Sequence, residues 1–78
     1  MNEEDREYFD VIFGFVNEEY GSSFNNEDRR RIAKTIYMKS MQPNGLKVLA
    51  NEVRGKTGPF RRVIDKLVGL NGFVINEH

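Results

Sequence analysis

The chain has 78 residues and a mass of 9.1 kDa, which is the size of one domain. Its composition, 38% apolar and 31% charged, suits a folded soluble domain, and no run of apolar residues is long enough to span a membrane. With no cysteine, and with a single histidine at position 78, disulfides and thiol chemistry are excluded and a zinc site is not expected. The absence of cysteine indicates a reducing compartment, and the acidic start is unlike a secretory signal, so we expect a cytoplasmic location.

The formal net charge is zero, but the charges are segregated along the chain. Residues 1–28 hold nine acidic side chains against Arg6 alone, and residues 29–66 hold eleven basic side chains against two acidic ones. This block structure predicts an acidic surface and a basic surface on one small body. The alternative is a set of solvated helix faces whose signs happen to cluster.

A first helix is predicted from about residue 3 to residue 20. Acidic residues suit its N-terminus, and Gly21 follows as a stop signal. Its apolar arc is wide, because Tyr8, Val11 and Phe15 lie beside the main apolar stripe. We therefore expect these three side chains to contact a second copy of the chain or another protein partner.

The rest of the chain predicts an all-α fold of three or four helices. Three further helices are expected at about 26–41, 45–53 and 58–68, separated by turn signals such as Gln42-Pro43-Asn44-Gly45. A short strand is expected at about 73–75, where three β-favouring residues follow Gly72. No repeat or linker divides the chain, so residues 1–78 are treated as one domain.

The segment 46–65 has a characteristic spacing of apolar and small residues. Apolar or small side chains occupy its fourth, fifth, eighth, fifteenth and eighteenth places, which are Leu49, Ala50, Val53, Phe60 and Val63. In this spacing the segment resembles the helix-turn-helix pattern of DNA-binding proteins, and its tail through 73–75 resembles the start of a winged-helix wing. An ordinary α-hairpin has the same apolar spacing.

The resemblance implies a small DNA-binding regulator, of a kind found in bacteria and phages, with helix 58–68 in the major groove of double-stranded DNA. The acidic first helix is then expected to face away from the duplex. Arg61 and Arg62 are expected to point outward, one to a base edge and the other to phosphate. The predicted nucleic-acid-binding residues are Arg54, Lys56, Thr57, Arg61, Arg62, Lys66, Arg29, Arg30 and Lys34.

Two other classes of binding protein stay open. One is a protein-interaction adaptor or inhibitor that docks through the aromatic-rich acidic first helix. The other is an RNA-binding or ribosome-binding protein that uses the same basic block, although no exposed aromatic pair supports base stacking. An enzyme is not expected, because the Gly55-Lys56-Thr57 run lacks the upstream glycine of a phosphate-binding loop. No cofactor, metal or small-molecule substrate is expected.

Overall fold

The computed structural model describes residues 2–77 of the chain and contains four α-helices in that range. They are α1 (Glu3–Tyr20), α2 (Asn26–Ser40), α3 (Gly45–Glu52) and α4 (Pro59–Leu70), with a 3-10 turn at Gly21–Ser23. The predicted all-α class is confirmed, and each helix end lies within two residues of its predicted position.

Asparagine side chains cap the N-termini of the two long helices. The Oδ1 atoms of Asn2 and Asn25 accept hydrogen bonds of 2.8 Å from the backbone N–H groups of Asp5 and Asp28. Each bond satisfies one of the amides that a helix start leaves without an intrahelical partner. Acidic residues fill both first turns, where they favour the positive end of the helix dipole.

Helix α1 packs between α2 and α4 and runs antiparallel to both. Along α2, Arg29 contacts Asn17 whereas Tyr37 contacts Phe9, so rising numbers on α2 meet falling numbers on α1. Along α4, Arg62 contacts Glu19, whereas Lys66, one turn later, contacts Phe15. Rising numbers on α4 therefore also meet falling numbers on α1. The short helix α3 packs against α2 and α4.

One apolar core joins all four helices. Among the described residues, its fully buried large side chains are Ile12, Val16, Ile36, Leu49, Val53, Val63, Ile64, Leu67 and Val68. Ala33, Ala50 and Ile75 complete it, and no buried polar side-chain atom in residues 2–77 lacks a hydrogen-bond partner. The predicted apolar stripes therefore face this core, as helical periodicity requires.

The strand predicted at 73–75 is wrong. Residues 2–77 contain no strand, so the β-favouring run has no neighbouring strand to supply hydrogen bonds. The Phe73 N–H instead bonds the Val68 carbonyl at 3.2 Å, which extends the end of α4, and Ile75 packs into the helical core. In the same range, no helix is long and apolar enough to cross a membrane.

Candidate nucleic-acid interface

The five pattern residues of the 46–65 segment all face the core. Leu49, Ala50, Val53 and Val63 are buried, and Phe60 is half-buried against the same core. The connection between the helices, residues 53–58, is longer than the three or four residues usual for this motif. Gly58, with a φ of 106°, precedes Pro59 and directs the chain into α4.

Arg61 turns back onto the α3–α4 connection, so the expectation that it points outward is wrong. Its Nη1 donates to the carbonyl oxygens of Val53 at 3.3 Å and Lys56 at 3.1 Å. Its Nε donates to Asp65 at 3.0 Å, Nη2 pairs with Glu77, and only 16% of the side chain is exposed. In this arrangement Arg61 ties the connection to the C-terminal segment.

Glu77 completes this tie from the C-terminal segment. Its Oε2 accepts a 2.9 Å hydrogen bond from the Gly55 N–H, while its Oε1 pairs with Arg61. The Arg61 guanidinium and then the Gly55 amide hold the pKa of Glu77 below its usual value, since both favour the charged carboxylate. Glu77 in turn raises the pKa of Arg61.

Arg62 and Lys66 pair with the C-terminal end of α1. Arg62 Nε lies 2.5 Å from Glu19 Oε1, and Lys66 Nζ lies 2.5 Å from Glu18 Oε2 and 2.8 Å from Glu19 Oε2. Lys66 and then Arg62 lower the pKa of Glu19, while Glu18 and then Glu19 raise the pKa of Lys66. The last carboxylates of α1 therefore contact α4, the helix predicted to enter the major groove.

The start of α4 borders an open groove that holds several of the predicted residues. Lys56 and Thr57 are exposed there, and the Arg62 side chain is 54% exposed. Arg54 is also exposed and lies next to the groove. The groove is lined by Gly55, Lys56, Thr57, Gly58, Arg61, Arg62, Asp65 and Glu77.

Arg29 holds the turn between α1 and α2. Its guanidinium donates to Asn17 Oδ1 at 2.7 Å, to the Gly21 carbonyl at 2.8 Å and to the Phe24 carbonyl. The side chain therefore satisfies carbonyl groups where α1 ends, which is a recognised role for a cation near a helix C-terminus. The sequence identified Arg29 as basic but gave no signal for this packing.

Arg30 and Lys34 lie on a different surface, in a cleft between α1 and α2. The Arg30 guanidinium carbon lies 5.2 Å from the centre of the Phe13 ring, which is a cation–π contact. The cleft is lined by Arg6, Phe9, Asp10, Arg30 and Lys34. The structure thus separates these two predicted residues from Arg29 and groups them with Arg6, which the sequence had not singled out.

The three predicted partner-interface residues have unequal exposure. Tyr8 and Phe15 are half-buried against the core, where Tyr8 contacts Tyr37 and Phe15 lies 5.8 Å from Lys66 Nζ. Val11 is 40% exposed. Only Val11 among the three therefore presents much apolar surface to solvent.

Sequence reasoning missed Glu18, Glu19 and Glu77 as partners of the basic block. Each meets a cation from another element, and Arg62 and Glu19 are 43 residues apart in the chain. Residues 2–77 bring together no group of three or more acidic or histidine side chains that could hold a metal. No protein family, no curated protein and no solved structure matches the chain.

Proposed function

We propose that the protein is a small DNA-binding regulator, acting in the cytoplasm, that presents the start of α4 to a duplex. The observation that carries the proposal is the division of the α3–α4 unit into two sides. Leu49, Ala50 and Val63 are buried, while Lys56, Thr57 and Arg62 are exposed along one groove at the start of α4. In a helix-turn-helix the first residues of the second helix meet the base edges.

We propose a distinct role for each of these side chains on the basis of its contacts. Arg62 is the exposed arginine of α4 and is the candidate for a base edge, because a guanidinium can bond guanine with two donors. Lys56 and Thr57 are candidates for phosphate contacts. Arg61 is a positioning residue, since its donors are engaged with the connection, Asp65 and Glu77.

The ion pairs of α4 set an electrostatic cost for this mode of binding. A phosphate that approaches Arg62 or Lys66 competes with carboxylates already within 2.8 Å of those cations. Glu18 and Glu19 also repel phosphate directly. Binding through this face is therefore expected to be weak at physiological salt and to strengthen as the salt is lowered.

Duplex binding across a salt series tests the proposal. Arg62→Ala should weaken binding to a preferred site about tenfold, as loss of a base contact worth roughly 1–3 kcal/mol predicts, and should relax sequence preference. Lys56→Ala should weaken all duplexes alike and reduce the salt slope by about one unit.

The matched control is Lys47→Ala, because Lys47 is an exposed cation on α3 away from the α4 groove. This variant should bind like the wild type. Equal losses for Lys47→Ala and Arg62→Ala, or no binding of any duplex at low salt, would contradict the proposal.

A protein-interaction module is the second candidate, and one specific observation favours it. Val11 on α1 and Leu70 on α4 are exposed, at 40% and 63%, on two helices that pack side by side. One turn earlier on α4, Lys66 lies over Phe15, so the antiparallel pairing places Val11 and Leu70 at the same edge. Exposed apolar side chains grouped in this way are typical of partner surfaces.

A further inference from the structure

We infer that the cleft between α1 and α2 binds a phosphate group through Arg6, Arg30 and Lys34. The three cations come from two helices and line one open cleft with Phe9 and Asp10. None of the three forms an ion pair with an acidic side chain in residues 2–77, whereas Arg61, Arg62 and Lys66 all do. Three unpaired cations therefore lie at this cleft, whereas the cations in the middle of α4 are paired with carboxylates.

The run Arg29-Arg30-Arg31 shows how the structure selects one arginine for this role. Arg29 is bonded to backbone carbonyls of the α1–α2 turn. Arg31 pairs with Glu27 at 3.1 Å and with Asp28 at 3.5 Å within its own helix. Of the three, Arg30 alone has its guanidinium carbon over an aromatic ring, that of Phe13, and it forms no ion pair with an acidic side chain in residues 2–77.

The chemistry of the cleft fits phosphate. Arg30 and Lys34 are four residues apart on α2, so they stand about 6 Å apart along the helix on one side. The planar guanidinium of Arg30 has a pair of N–H donors that can bond phosphate with two parallel hydrogen bonds. Arg6 adds a third cation from α1, against the single carboxylate of Asp10.

Two sources can supply the phosphate, the backbone of a duplex or a free phosphate ion. We commit to the duplex backbone, and in this respect the inference rests on the proposed function. The cleft would then add phosphate contacts to the same nucleic acid or to a second segment of it. Phosphate contacts of this kind position a protein on DNA without reading its sequence.

Amide NMR spectra of the full chain separate the two sources. Titration with inorganic phosphate should shift the amides around residues 6, 30 and 34 more than those around 56 and 62. Titration with a short duplex should shift the same cleft amides together with those at the start of α4. Shifts with phosphate but no binding of the duplex would uphold the cleft and overturn the proposed DNA function.

Duplex affinity of cleft variants gives the second readout. Arg30→Ala and Lys34→Ala should each weaken duplex binding several-fold and lower the slope of log affinity against log salt by about 0.9. Asp10→Asn should strengthen binding, because it removes the only carboxylate in the cleft lining. Its control is Glu4→Gln, an equal charge change about 120° around α1 from Asp10 and outside the cleft lining, which should have a smaller effect.

Three results overturn the cleft assignment while leaving the α4 proposal standing. The first is duplex binding that depends on Arg62 but not on Arg30 or Lys34. The second is an equal gain from Asp10→Asn and Glu4→Gln, which reports net charge alone. The third is a phosphate titration that leaves the cleft amides unchanged.

Discussion

At Gly45 the absence of a side chain determines how α2 meets α3. A Cβ atom built on this glycine would lie 2.1 Å from the Lys39 carbonyl oxygen and 2.8 Å from the Ser40 carbonyl. Both obstacles are backbone atoms at the end of α2, which cannot move aside as a flexible side chain can. A Cβ atom built on Gly14, in the middle of α1, would meet no atom of a neighbouring element within 4 Å.

We expect alanine to act in opposite directions at these two glycines. Gly45→Ala should lower the free energy of unfolding by about 2–3 kcal/mol, because the end of α2 must shift to admit the methyl group. Gly14→Ala should raise it by about 0.5–1 kcal/mol, since alanine favours a helix interior over glycine. Urea denaturation of both variants measures these changes. Equal effects would show that the end of α2 leaves room for a methyl group at position 45, which contradicts this explanation.

At the level of single elements, the sequence predicts the helices well because their signals are local. Asn25 and the acids after it predict the start of α2, and Gly21 predicts the end of α1. The short strand at 73–75 fails because a strand needs a partner, and β-branched composition alone does not supply one. Ile75 instead packs against helices.

The candidate site is predicted less well, because its geometry depends on contacts between distant residues. The sequence shows that Arg61, Arg62 and Lys66 are cations. It does not show that α1 ends beside α4, and this packing brings Glu19 to Arg62 across 43 residues. Periodicity places a residue on a face of its own helix and gives no information on which element covers that face.

The pairing of α1 with α4 predicts a pH dependence of stability. The pKa of Glu19 is lowered from its usual value near 4.5, first by Lys66 and then by Arg62. A carboxyl group with a lowered folded pKa contributes stability above its unfolded pKa and loses that contribution as the pH falls through the folded value. Glu19→Gln should therefore be less stable than the wild type at pH 7 and lose less stability below about pH 4.5.

Thermal unfolding between pH 7 and pH 2 measures this difference. Glu4→Gln is the control, because Glu4 is exposed and forms no ion pair in residues 2–77. It should keep the wild-type loss of stability in acid. Parallel pH profiles for Glu19→Gln and the wild type would contradict a stabilising role for the α1–α4 ion pairs.

Across the whole molecule, folding pairs the two charged blocks of the sequence with each other. The acidic end of α1 meets Arg62 and Lys66 of α4, and Glu77 of the C-terminal segment meets the neighbouring Arg61. The segregation seen along the chain is therefore partly cancelled in space. The described surface still holds the acidic N-terminal half of α1, the cationic α1–α2 cleft and the exposed Lys56 and Thr57 at the start of α4. Its exposed apolar side chains include the edge formed by Val11 and Leu70.

That apolar edge predicts self-association of the whole protein. A two-fold pairing of α1–α4 edges would cover Val11 and Leu70 in both copies at once. Val11→Glu should keep the protein monomeric at high micromolar concentration and leave its free energy of unfolding within about 0.5 kcal/mol of the wild type, because Val11 lies outside the core. Phe15→Glu should instead destabilise the fold, since Phe15 packs on the core beneath Lys66.

Light scattering of the wild type and of Val11→Glu measures this self-association. Val48→Glu is the control, because Val48 is 49% exposed on α3 and lies away from this edge. Association should persist in Val48→Glu; a wild type that stays monomeric, or equal loss in both glutamate variants, would rule out this edge as the interface.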